Sequence, residues 1–395
     1  MRTNNYSAWL EINLDNVKKN IIEIRKLVKK NTQIMGVVKG NAYGHDAIEI
    51  SKIILENGAD SLAVARIEEA ISLRENNINK PILVLGTSPI DQTDLYFKHS
   101  LVMPTICDLG KARHFNEIAN IYNKKIQVHL KIETGMGRLG ITVAEFDNFL
   151  KKILELENIE INGVYTHFST ADELEKEYTK YQFNNFQKVK DIIKNNSNIS
   201  PLYHVANSGA ILDLPEMWLD MVRPGCLLYG LYPSREVKKT IKLYPALTFK
   251  SRVAFIKKIG KDQSIGYGRT YKTIKTTTVA TLPVGYADGY SRFLSNKGEV
   301  VINGEKAAVI GRVCMDQMMV DITNLKNVNF DDEVILWGSY GNNSISTEEI
   351  ADTIGTIVDE IVHLTDKNRV AKIFIKDGKY WKSKSLLGEF VYNEI

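Results

Sequence analysis

Lys39 is the residue of this sequence whose surroundings are best suited to chemistry. It follows the apolar run 34–38 and precedes the segment 40–45, which contains two glycines. A buried strand would hold the lysine backbone rigidly, and the glycines would leave room for a flat ligand beside the amine. A desolvated lysine in such a position can form a Schiff base with a carbonyl compound. Read alone, the segment fits a surface lysine at a strand end equally well.

Further polar residues stand at the ends of four later apolar runs. They are Lys131, Glu133 and Arg138, then His167, then Asn207 and Ser208, and finally Arg223 and Gly225. In a barrel of parallel strands the C-terminal strand ends meet on one face, where the chemistry takes place. Ser208 and Gly225 suit a phosphate, because a hydroxyl and an unhindered amide can both donate hydrogen bonds to it. Taken alone, the segment 207–209 is more simply interpreted as an ordinary helix N-cap.

These residues together match one kind of cofactor. An amine, a phosphate site, a histidine and two arginines suit a ligand that carries an aldehyde, a phosphate and a flat ring. Pyridoxal 5′-phosphate is such a ligand. The sequence therefore predicts that pyridoxal 5′-phosphate binds through Lys39.

The elements that would position these residues fill the first 230 residues or so. Apolar runs predict strands at 34–38, 62–65, 82–85, 101–103, 126–132, 160–166, 202–206 and 221–222. Amphipathic stretches between them predict helices that include 14–29, 47–57, 66–76, 109–122, 143–156 and 173–194. Strands that alternate with helices in this number predict an α/β fold, a (β/α)8 barrel of the TIM type. A doubly wound open sheet is the structural alternative.

A second, mainly β domain is predicted from about residue 247 onward. Strands are expected at 248–259, 277–283, 299–302, 307–313, 318–321 and 333–337, then one short helix at 347–354 and a final strand at 369–375. Closely spaced strands punctuated by glycine, Asp and Asn favour such a domain. We predict domains at 1–245 and 246–395, with a strand at 8–12 that joins the second domain.

The composition excludes several classes of protein. The chain has 395 residues and a formal net charge of +4, which is too small to favour nucleic acid or an anionic membrane. No apolar run is long enough to cross a bilayer, and no secretory signal is visible, so we expect a cytoplasmic protein. The 3 cysteines are widely spaced and predict neither a disulfide framework nor a zinc site.

Several ordered motifs resemble those of the alanine racemase family, over essentially the whole chain. The most specific is VVKGNAYGH at 37–45, which resembles the family's lysine signature for pyridoxal phosphate. Others are HLK at 129–131, TGMGRLG at 134–140, YTHFSTAD at 165–172, HVANS at 204–208, VRPG at 222–225, GYGRTY at 266–271, GYADGY at 285–290 and CMDQ at 314–317.

The resemblance implies a function and an assembly. It implies an isomerase that depends on pyridoxal 5′-phosphate, interconverts L-alanine and D-alanine, and supplies D-alanine for peptidoglycan. It also implies a homodimer in which the β domain of each protomer completes the barrel site of its partner. The expected partners are therefore a second copy of the chain and a small amino-acid substrate, with no metal.

The resemblance also implies roles for single residues. Lys39 and Tyr267 are the implied catalytic bases, on opposite faces of the substrate Cα. The implied cofactor contacts, besides Lys39, are Tyr43, Arg138, His167, Asn207, Ser208, Arg223, Gly225 and Cys226. The implied substrate contacts are Arg138, Met315 and Asp316. Lys131 matches a position that is carbamylated in the family. His204 matches a position that contacts the cofactor-binding residues and not the cofactor itself. The residues that resemble the lining of the site entrance are Asp172, Tyr271, Tyr286 and Arg292.

Arg223 has a further implied consequence. It matches the position that faces the pyridine nitrogen of the cofactor. An arginine keeps its proton in proteins, so it donates a hydrogen bond and leaves the ring nitrogen unprotonated. A ring in this state withdraws electrons less strongly, which should suppress side reactions such as transamination.

The sequence departs from the family pattern at Asn368. The family usually has a tyrosine directly before an Arg-Val pair, and here Asn368 precedes Arg369-Val370. A short amide would open space near the substrate side chain and offer a hydrogen bond to a hydroxyl. A serine racemase, or one that accepts both alanine and serine, is therefore an alternative.

Three other classes compete with a racemase. An amino-acid decarboxylase shares the barrel, the β domain and the cofactor, but the lysine motif and the CMDQ segment are of the racemase type. A non-catalytic protein that binds pyridoxal phosphate would be expected to consist of the barrel alone. A metal-dependent barrel hydrolase is disfavoured, because the 7 histidines include no closely spaced ligand pair.

Overall fold

The computed structural model describes residues 6–340 and 343–392 and divides them into two compact units. The first, which we call the barrel unit, comprises 17–42 and 46–244. The second, the β unit, comprises 6–16, Tyr43–His45 and 245–392.

The barrel unit is built on parallel strands. They are β2 (Gln33–Val37), β3 (Ser61–Val64), β4 (Ile82–Val84), β5 (Val102–Ile106), β6 (Ile126–Glu133), β7 (Ile141–Thr142), β8 (Ile159–Tyr165), β9 (Leu202–His204) and β10 (Met221–Val222). The helices are Leu14–Leu27, which begins in the β unit, Ala47–Glu56, Ile67–Glu75, Thr93–Lys98, Leu109–Ile121, Phe146–Ile153, Glu177–Asn196 and Ser208–Asp213. Short 3-10 helices span Ile90–Gln92, Pro215–Met217 and Cys226–Tyr229.

The strand order shows that the sheet curls into a barrel. The order is β10-β2-β3-β4-β5-β6-β8-β9, and β7 pairs with β6. The last strand returns to the first, since Met221 pairs with Gln33. Between β9 and β10, Asp220 N donates to Tyr203 O at 3.1 Å and Arg223 N donates to Ala206 O at 2.9 Å. The predicted (β/α)8 barrel is therefore confirmed, and the open doubly wound sheet is excluded.

The β unit contains one large sheet. Its strands are β1 (Ala8–Asn13), β11 (Leu247–Arg252), β12 (Phe255–Ile259), β15 (Thr277–Leu282), β16 (Glu299–Ile302), β17 (Glu305–Val309), β18 (Met318–Asp321), β19 (Glu333–Tyr340), β20 (Asn343–Ile345), β21 (Ala371–Lys376), β22 (Lys379–Ser385) and β23 (Gly388–Val391). The order is β12-β15-β18-β17-β16-β19-β11-β1-β21-β22-β23, and β20 pairs with β19. A small separate hairpin joins β13 (Ser264–Ile265) to β14 (Tyr271–Lys272). Helices span Thr347–Ile354 and Val358–Leu364, and 3-10 helices span Tyr267–Arg269, Tyr286–Asp288 and Arg292–Leu294.

The N-terminal strand β1 is an integral part of this sheet. It pairs antiparallel with β11, where Ala8 faces Ser251, and parallel with β21, where Trp9 faces Ala371. Its residues are almost all buried, because the strand lies in the middle of the sheet order and is covered on both faces.

Three sequence predictions for the β unit are wrong. The single strand at 248–259 is two strands, because β11 pairs with β1 and β19 whereas β12 pairs with β15. A second helix, Val358–Leu364, follows the one predicted; its β-branched residues gave little helical signal. The strand predicted to be final is followed by β22, whose lysines concealed it, and by β23, which has only 4 residues. Within the described ranges, no helix is long and apolar enough to cross a membrane.

Candidate active site

Lys39 opens a left-handed turn at the C-terminal end of β2. Gly40, Asn41, Ala42 and Tyr43 all have φ between 53° and 59°. A left-handed conformation costs about 1–2 kcal/mol for each non-glycine residue, so the surrounding contacts must hold it. Within the barrel unit, Gly40 N donates to Glu69 Oε1 at 2.6 Å and Ala42 N donates to Val38 O at 2.9 Å. These hydrogen bonds stabilise the turn and thereby fix the backbone directly after Lys39.

The charges of several cationic side chains act on the half-buried imidazole of His167, two residues after β8. Burial lowers the pKa of His167 well below its ordinary value, and the charges of Arg223, Lys131, Arg138 and Lys39 lower it further. His167 is therefore neutral at physiological pH. These cations come from the ends of different strands, so the barrel gathers them into one positive region that favours an anionic ligand.

Lys131, on β6, is buried and has a strongly shifted pKa. Its side chain is only 3% exposed, its Nζ donates to Ile132 O at 3.0 Å, and it lies 5.3 Å from the centroid of the Tyr165 ring. Burial, followed by the charge of Arg223, lowers the pKa of Lys131 to about 7. Near neutral pH a substantial fraction of the amine is therefore uncharged, and the uncharged amine is the form that reacts with CO2.

The loop after β6 folds around the carboxylate of Glu133 and so positions Arg138. Glu133 accepts hydrogen bonds from the backbone N–H of Gly135 and, at 3.2 Å, of Arg138. Burial raises the pKa of Glu133, but backbone donors from residues 135–138 outweigh it and lower the pKa overall. An ionised Glu133 therefore holds this loop, while the Arg138 side chain is exposed.

Arg223, directly after β10, is buried in a dense hydrogen-bond network. Its Nη1 donates to His204 Nδ1 at 2.8 Å and to His204 O at 2.9 Å. Its Nη2 donates to Thr166 O at 2.7 Å and to Val205 O at 3.2 Å, and lies 3.4 Å from His167 Nδ1. Burial lowers the pKa of Arg223 to about 10, which leaves the guanidinium charged at neutral pH.

The two loops predicted to hold a phosphate are in direct contact. Gly225 N donates to Ser208 Oγ at 3.0 Å. Asn207 is the N-cap of the helix Ser208–Asp213, since its Oδ1 accepts from Ala210 N at 3.1 Å. The capping interpretation of Asn207 is therefore correct, and its predicted contact with a cofactor stays a prediction. Cys226, also predicted to bind the cofactor, is buried next to Gly225.

In the β unit, Tyr267 projects from a tight glycine turn. Its side chain is 71% exposed. Gly266 and Gly268 on either side have φ of 72° and 69°, so the turn needs glycine at both positions. A groove of about 410 Å³ lies beside it. The groove is lined by Lys257, Ile259, Ser264, Ile265, Gly266, Tyr267, Val279, Cys314 and Met319.

The loop that carries Met315 and Asp316 is held by two neighbouring segments. Tyr286 N donates to Cys314 O at 3.0 Å, and Ala287 N donates to Met315 O at 3.1 Å. Arg369 joins two carboxylates, with Nε 2.8 Å from Asp288 Oδ1 and Nη1 2.7 Å from Asp316 Oδ1. The sequence reasoning assigned no role to Arg369 or Asp288, although both lie within motifs that resemble the family.

The remaining predicted site residues are divided between the units. Tyr43 groups with the β unit, in the segment Tyr43–His45, and is half-buried. His204 is buried in the barrel unit and Asp172 is half-buried there. In the β unit Tyr271 is half-buried, whereas Tyr286, Arg292 and Asn368 are exposed. The roles of these residues stay predictions.

Comparison with known proteins identifies the family. The family models "Alanine racemase, N-terminal domain" and "Alanine racemase, C-terminal domain" match residues 12–233 and 246–374. An alanine racemase of Clostridium perfringens is 45% identical over 384 residues, which cover 96% of this chain and 98% of that protein. The chain belongs to the alanine racemase family. The resemblance inferred from the motifs is thereby confirmed.

Solved structures of family members have the same fold. The alanine racemase of Clostridium difficile 630 superposes with a TM-score of 0.91 at 40% identity, covering 96% of this chain and 99% of that one. The alanine racemase of Bartonella henselae superposes with a TM-score of 0.85 at 28% identity, covering 93% and 99%. The latter structure is described as holding covalently bound pyridoxal phosphate.

Proposed function

We propose that this protein is an amino-acid racemase that interconverts L-alanine and D-alanine with pyridoxal 5′-phosphate as its cofactor. Two observations carry the proposal: Arg223 Nη2 lies 3.4 Å from His167 Nδ1, within a region to which Lys39, Lys131 and Arg138 also contribute positive charge, and the Ser208 and Gly225 loops are in contact. Membership of the alanine racemase family supports the choice of reaction and substrate.

The residues of the barrel unit fit this cofactor. Lys39 supplies an amine for the aldehyde, and Ser208 with the amide of Gly225 suits the phosphate. The buried Arg223 suits the pyridine nitrogen, because a permanently charged guanidinium donates a hydrogen bond there without giving up its proton. When bound, pyridoxal phosphate acidifies the Cα–H bond of an attached amino acid.

Racemisation needs a proton to leave one face of Cα and another to arrive on the opposite face. We assign these transfers to Lys39 Nζ and Tyr267 Oη, since two bases on opposite faces need no rotation of the substrate. The rigid turn after Lys39 and the glycine turn around Tyr267 hold both groups on short, well-defined segments. Neutral His167, whose Nδ1 lies 3.4 Å from Arg223 Nη2, is suited to lie against the cofactor ring.

Arg138 is suited to the substrate carboxylate, because its guanidinium is exposed and its backbone is anchored by Glu133. The Asp316 side chain is already paired with Arg369, and one carboxylate repels another. We therefore assign the predicted substrate contact of Met315 and Asp316 to their backbone, with the Met315 side chain shaping the pocket. A carbamate on Lys131 would add a negative charge among the cations and orient Arg138.

We further propose a homodimer in which the β unit of one protomer completes the barrel site of its partner. The β unit exposes several large apolar side chains, including Tyr267 at 71%, Ile274 at 80%, Phe293 at 76% and Met315 at 53%. Packing against the barrel unit of the partner would remove these side chains from water, which is favourable.

Racemisation of L-alanine by the purified protein tests the proposal. Loss of optical rotation and exchange of the Cα proton in D2O should occur together. Lys39→Ala should lose both the visible absorbance of the bound cofactor and the activity. Tyr267→Phe should keep the absorbance and lose at least about a hundredfold in rate, whereas the exposed Tyr181→Phe should change neither. Unchanged absorbance in Lys39→Ala would remove the cofactor assignment, and full activity in Tyr267→Phe would remove the two-base assignment.

A further inference from the structure

A chain of buried hydrogen bonds leads from Arg223 into the wall of the barrel. Arg223 Nη1 donates to His204 Nδ1 at 2.8 Å. His204 Nε2 lies 2.9 Å from His129 Nδ1, and His129 Nε2 lies 3.2 Å from Asn162 Oδ1. Both histidines are 0% exposed, and neither has a part in the proton transfers proposed above.

The charge of Arg223 dictates the direction of every hydrogen bond in this chain. A guanidinium can only donate, so His204 Nδ1 carries no proton and the proton of neutral His204 is on Nε2. His204 Nε2–H therefore donates to His129 Nδ1, which leaves the proton of neutral His129 on Nε2. That proton needs an acceptor, and the acceptor is the side-chain oxygen of Asn162.

We propose that Asn162 is a positioning residue: its side-chain oxygen accepts the last hydrogen bond, stabilises the tautomers of His129 and His204 that Arg223 requires, and thereby helps to hold Arg223 in place. The inference about tautomers stands on the geometry alone. Its consequence for the ring nitrogen of the cofactor rests on the proposed function.

A bulge between β6 and β8 places the Asn162 side chain against His129. The pairing of β6 with β8 shifts between Val128 and His129, so Val128 faces Ile161, His129 faces Gly163, and Asn162 is the extra residue of a bulge. Bulges re-aim side chains, and this one turns the Asn162 amide toward His129. A Cβ on Gly163 would overlap the His129 ring, so glycine is needed where the ring packs.

The groups around the two histidines keep them neutral. Burial lowers the pKa of His129 to about 4, opposed by the bond to Asn162 and assisted by the charge of Arg223. Burial, then the charge of Arg223, lowers the pKa of His204 well below its ordinary value. The Tyr165 ring stacks on His204 with centroids 4.8 Å apart and lies 5.4 Å from the Arg223 guanidinium carbon. A proton added to His204 would face this cation directly, and a proton added to His129 would face the Nε2–H of His204.

The nature of residue 162 is therefore decisive. A carboxylate there would favour a doubly protonated His129, whose Nδ1–H would point at the Nε2–H of His204. The hydrogen bonds between the histidines could then persist only in the opposite direction. His204 Nδ1 would carry a proton in that case, and this donor would face the donor on Arg223. Asn162→Asp is thus a small change in shape that reverses the direction of these hydrogen bonds once His129 is doubly protonated.

Nitrogen NMR on the full-length protein labelled with 15N-histidine tests the proposal directly. Two-bond 1H–15N correlations distinguish the two neutral tautomers from the imidazolium, and loss of one signal set in His129→Gln assigns that residue. In the unsubstituted protein, His129 and His204 should both carry their proton on Nε2 between pH 6 and pH 8. A proton on Nδ1 of either residue would overturn the proposal, whatever the reaction of the protein.

Two matched substitutions test the role of Asn162. Asn162→Asp should raise the pKa of His129 by at least about one unit, whereas Gln127→Glu, which adds the same charge at an exposed position on β6, should not. At pH values below the raised pKa of His129, where that imidazole is doubly protonated, Asn162→Asp should also lower kcat for racemisation at least tenfold with KM changed less than threefold. An unchanged His129 pKa, or kcat equal to that of Gln127→Glu, would overturn the positioning role. Expected tautomers in a protein without racemase activity would instead refute only the proposed function.

Discussion

At the scale of single residues, burial and neighbouring charges shift the pKa values of two site residues away from their ordinary values. Lys131 is buried, His167 is half-buried, and the charge of Arg223 acts on both. The histidine is consequently held neutral, and the lysine has a pKa near 7 instead of 10.5. Neither shift follows from residue type, because each depends on neighbours supplied by other strands.

We expect Lys131 to react with CO2. Its uncharged amine forms a new C–N bond with CO2 and releases a proton, so the carbamate should be favoured as the pH rises through about 7. Removing CO2 from the buffer should lower racemase activity, and bicarbonate should restore it. A new 13C signal from labelled bicarbonate should appear with the intact lysine and be absent in Lys131→Gln, whose activity should not respond to bicarbonate. Activity indifferent to CO2 in the unsubstituted protein would contradict this expectation.

The same shift has a consequence for stability without CO2. In the unfolded chain Lys131 keeps its proton up to about pH 10.5, whereas in the folded protein it loses it near pH 7. The unfolded state binds more protons in this window. The contribution of Lys131 to the free energy of unfolding should therefore rise with pH between these values, and urea unfolding of Lys131→Gln should lack that part of the slope.

Asn368 should influence the choice of substrate side chain. It directly precedes Arg369, which is bonded to Asp316 in the predicted substrate loop. Asn368→Tyr should lower the rate with L-serine relative to L-alanine, because a phenol fills the space and removes the amide. Asn368→Ala separates the two effects, since it keeps the space and loses only the amide. The idea fails if the ratio of the two rates is the same in all three proteins.

At the scale of elements, the polar groups at the strand ends are arranged by irregular backbone rather than by the strands themselves. The left-handed turn after β2 presents Lys39, and backbone donors around Glu133 shape the loop that carries Arg138. In the β unit, the turn that begins at Gly285 packs against the Cys314–Asp316 loop. The strands were predicted well because they are apolar, whereas these turns depend on contacts between distant segments.

Gly285 should be indispensable for this packing. A Cβ there would overlap the carbonyl oxygens of Cys314 and Met315, although the backbone of Gly285 is extended and open to any residue. Gly285→Ala should therefore lower the free energy of unfolding by about 1–3 kcal/mol and raise KM for alanine. Gly260→Ala is the control, because the exposed Gly260 has nothing within 4 Å of such a Cβ. Equal urea midpoints and equal KM values for the two variants would contradict the prediction.

At the scale of the whole molecule, the proposed catalytic bases belong to different compact units. Lys39 lies in the barrel unit and Tyr267 in the β unit. The proposed homodimer brings them together from two protomers, which makes the active site a property of the assembly.

Mixed dimers should reveal such sharing. Lys39→Ala and Tyr267→Phe are each expected to be inactive, but a dimer of one with the other contains one site with both bases intact. Random mixing of equal amounts should therefore recover about one quarter of the unsubstituted activity, since half the dimers are mixed and each has one working site of two. Mixing Lys39→Ala with Lys39→Ala that carries a second tag is the control. No recovery after exchange of subunits, verified by the tag, would refute the shared site.

The sequence by itself determined the barrel, the β domain and the family. Apolar runs and glycine motifs are local properties, so eight barrel strands and the motifs around Lys39, Arg138 and Arg223 could be found without coordinates. Where the local signal was weak, as in the lysine-rich strand β22 and the short strand β23, the prediction failed.

Only the tertiary structure decided how these residues act on one another. The pKa of Lys131, the joining of Asp288 and Asp316 by Arg369, and the hydrogen bonds from Arg223 to Asn162 depend on segments far apart in the chain. Asn162 gave no signal in the sequence, because a bulge in one strand turns it toward a histidine on another. The pKa of a side chain and the direction of its hydrogen bonds depend on which residues lie next to it in space. The tertiary fold determines those neighbours.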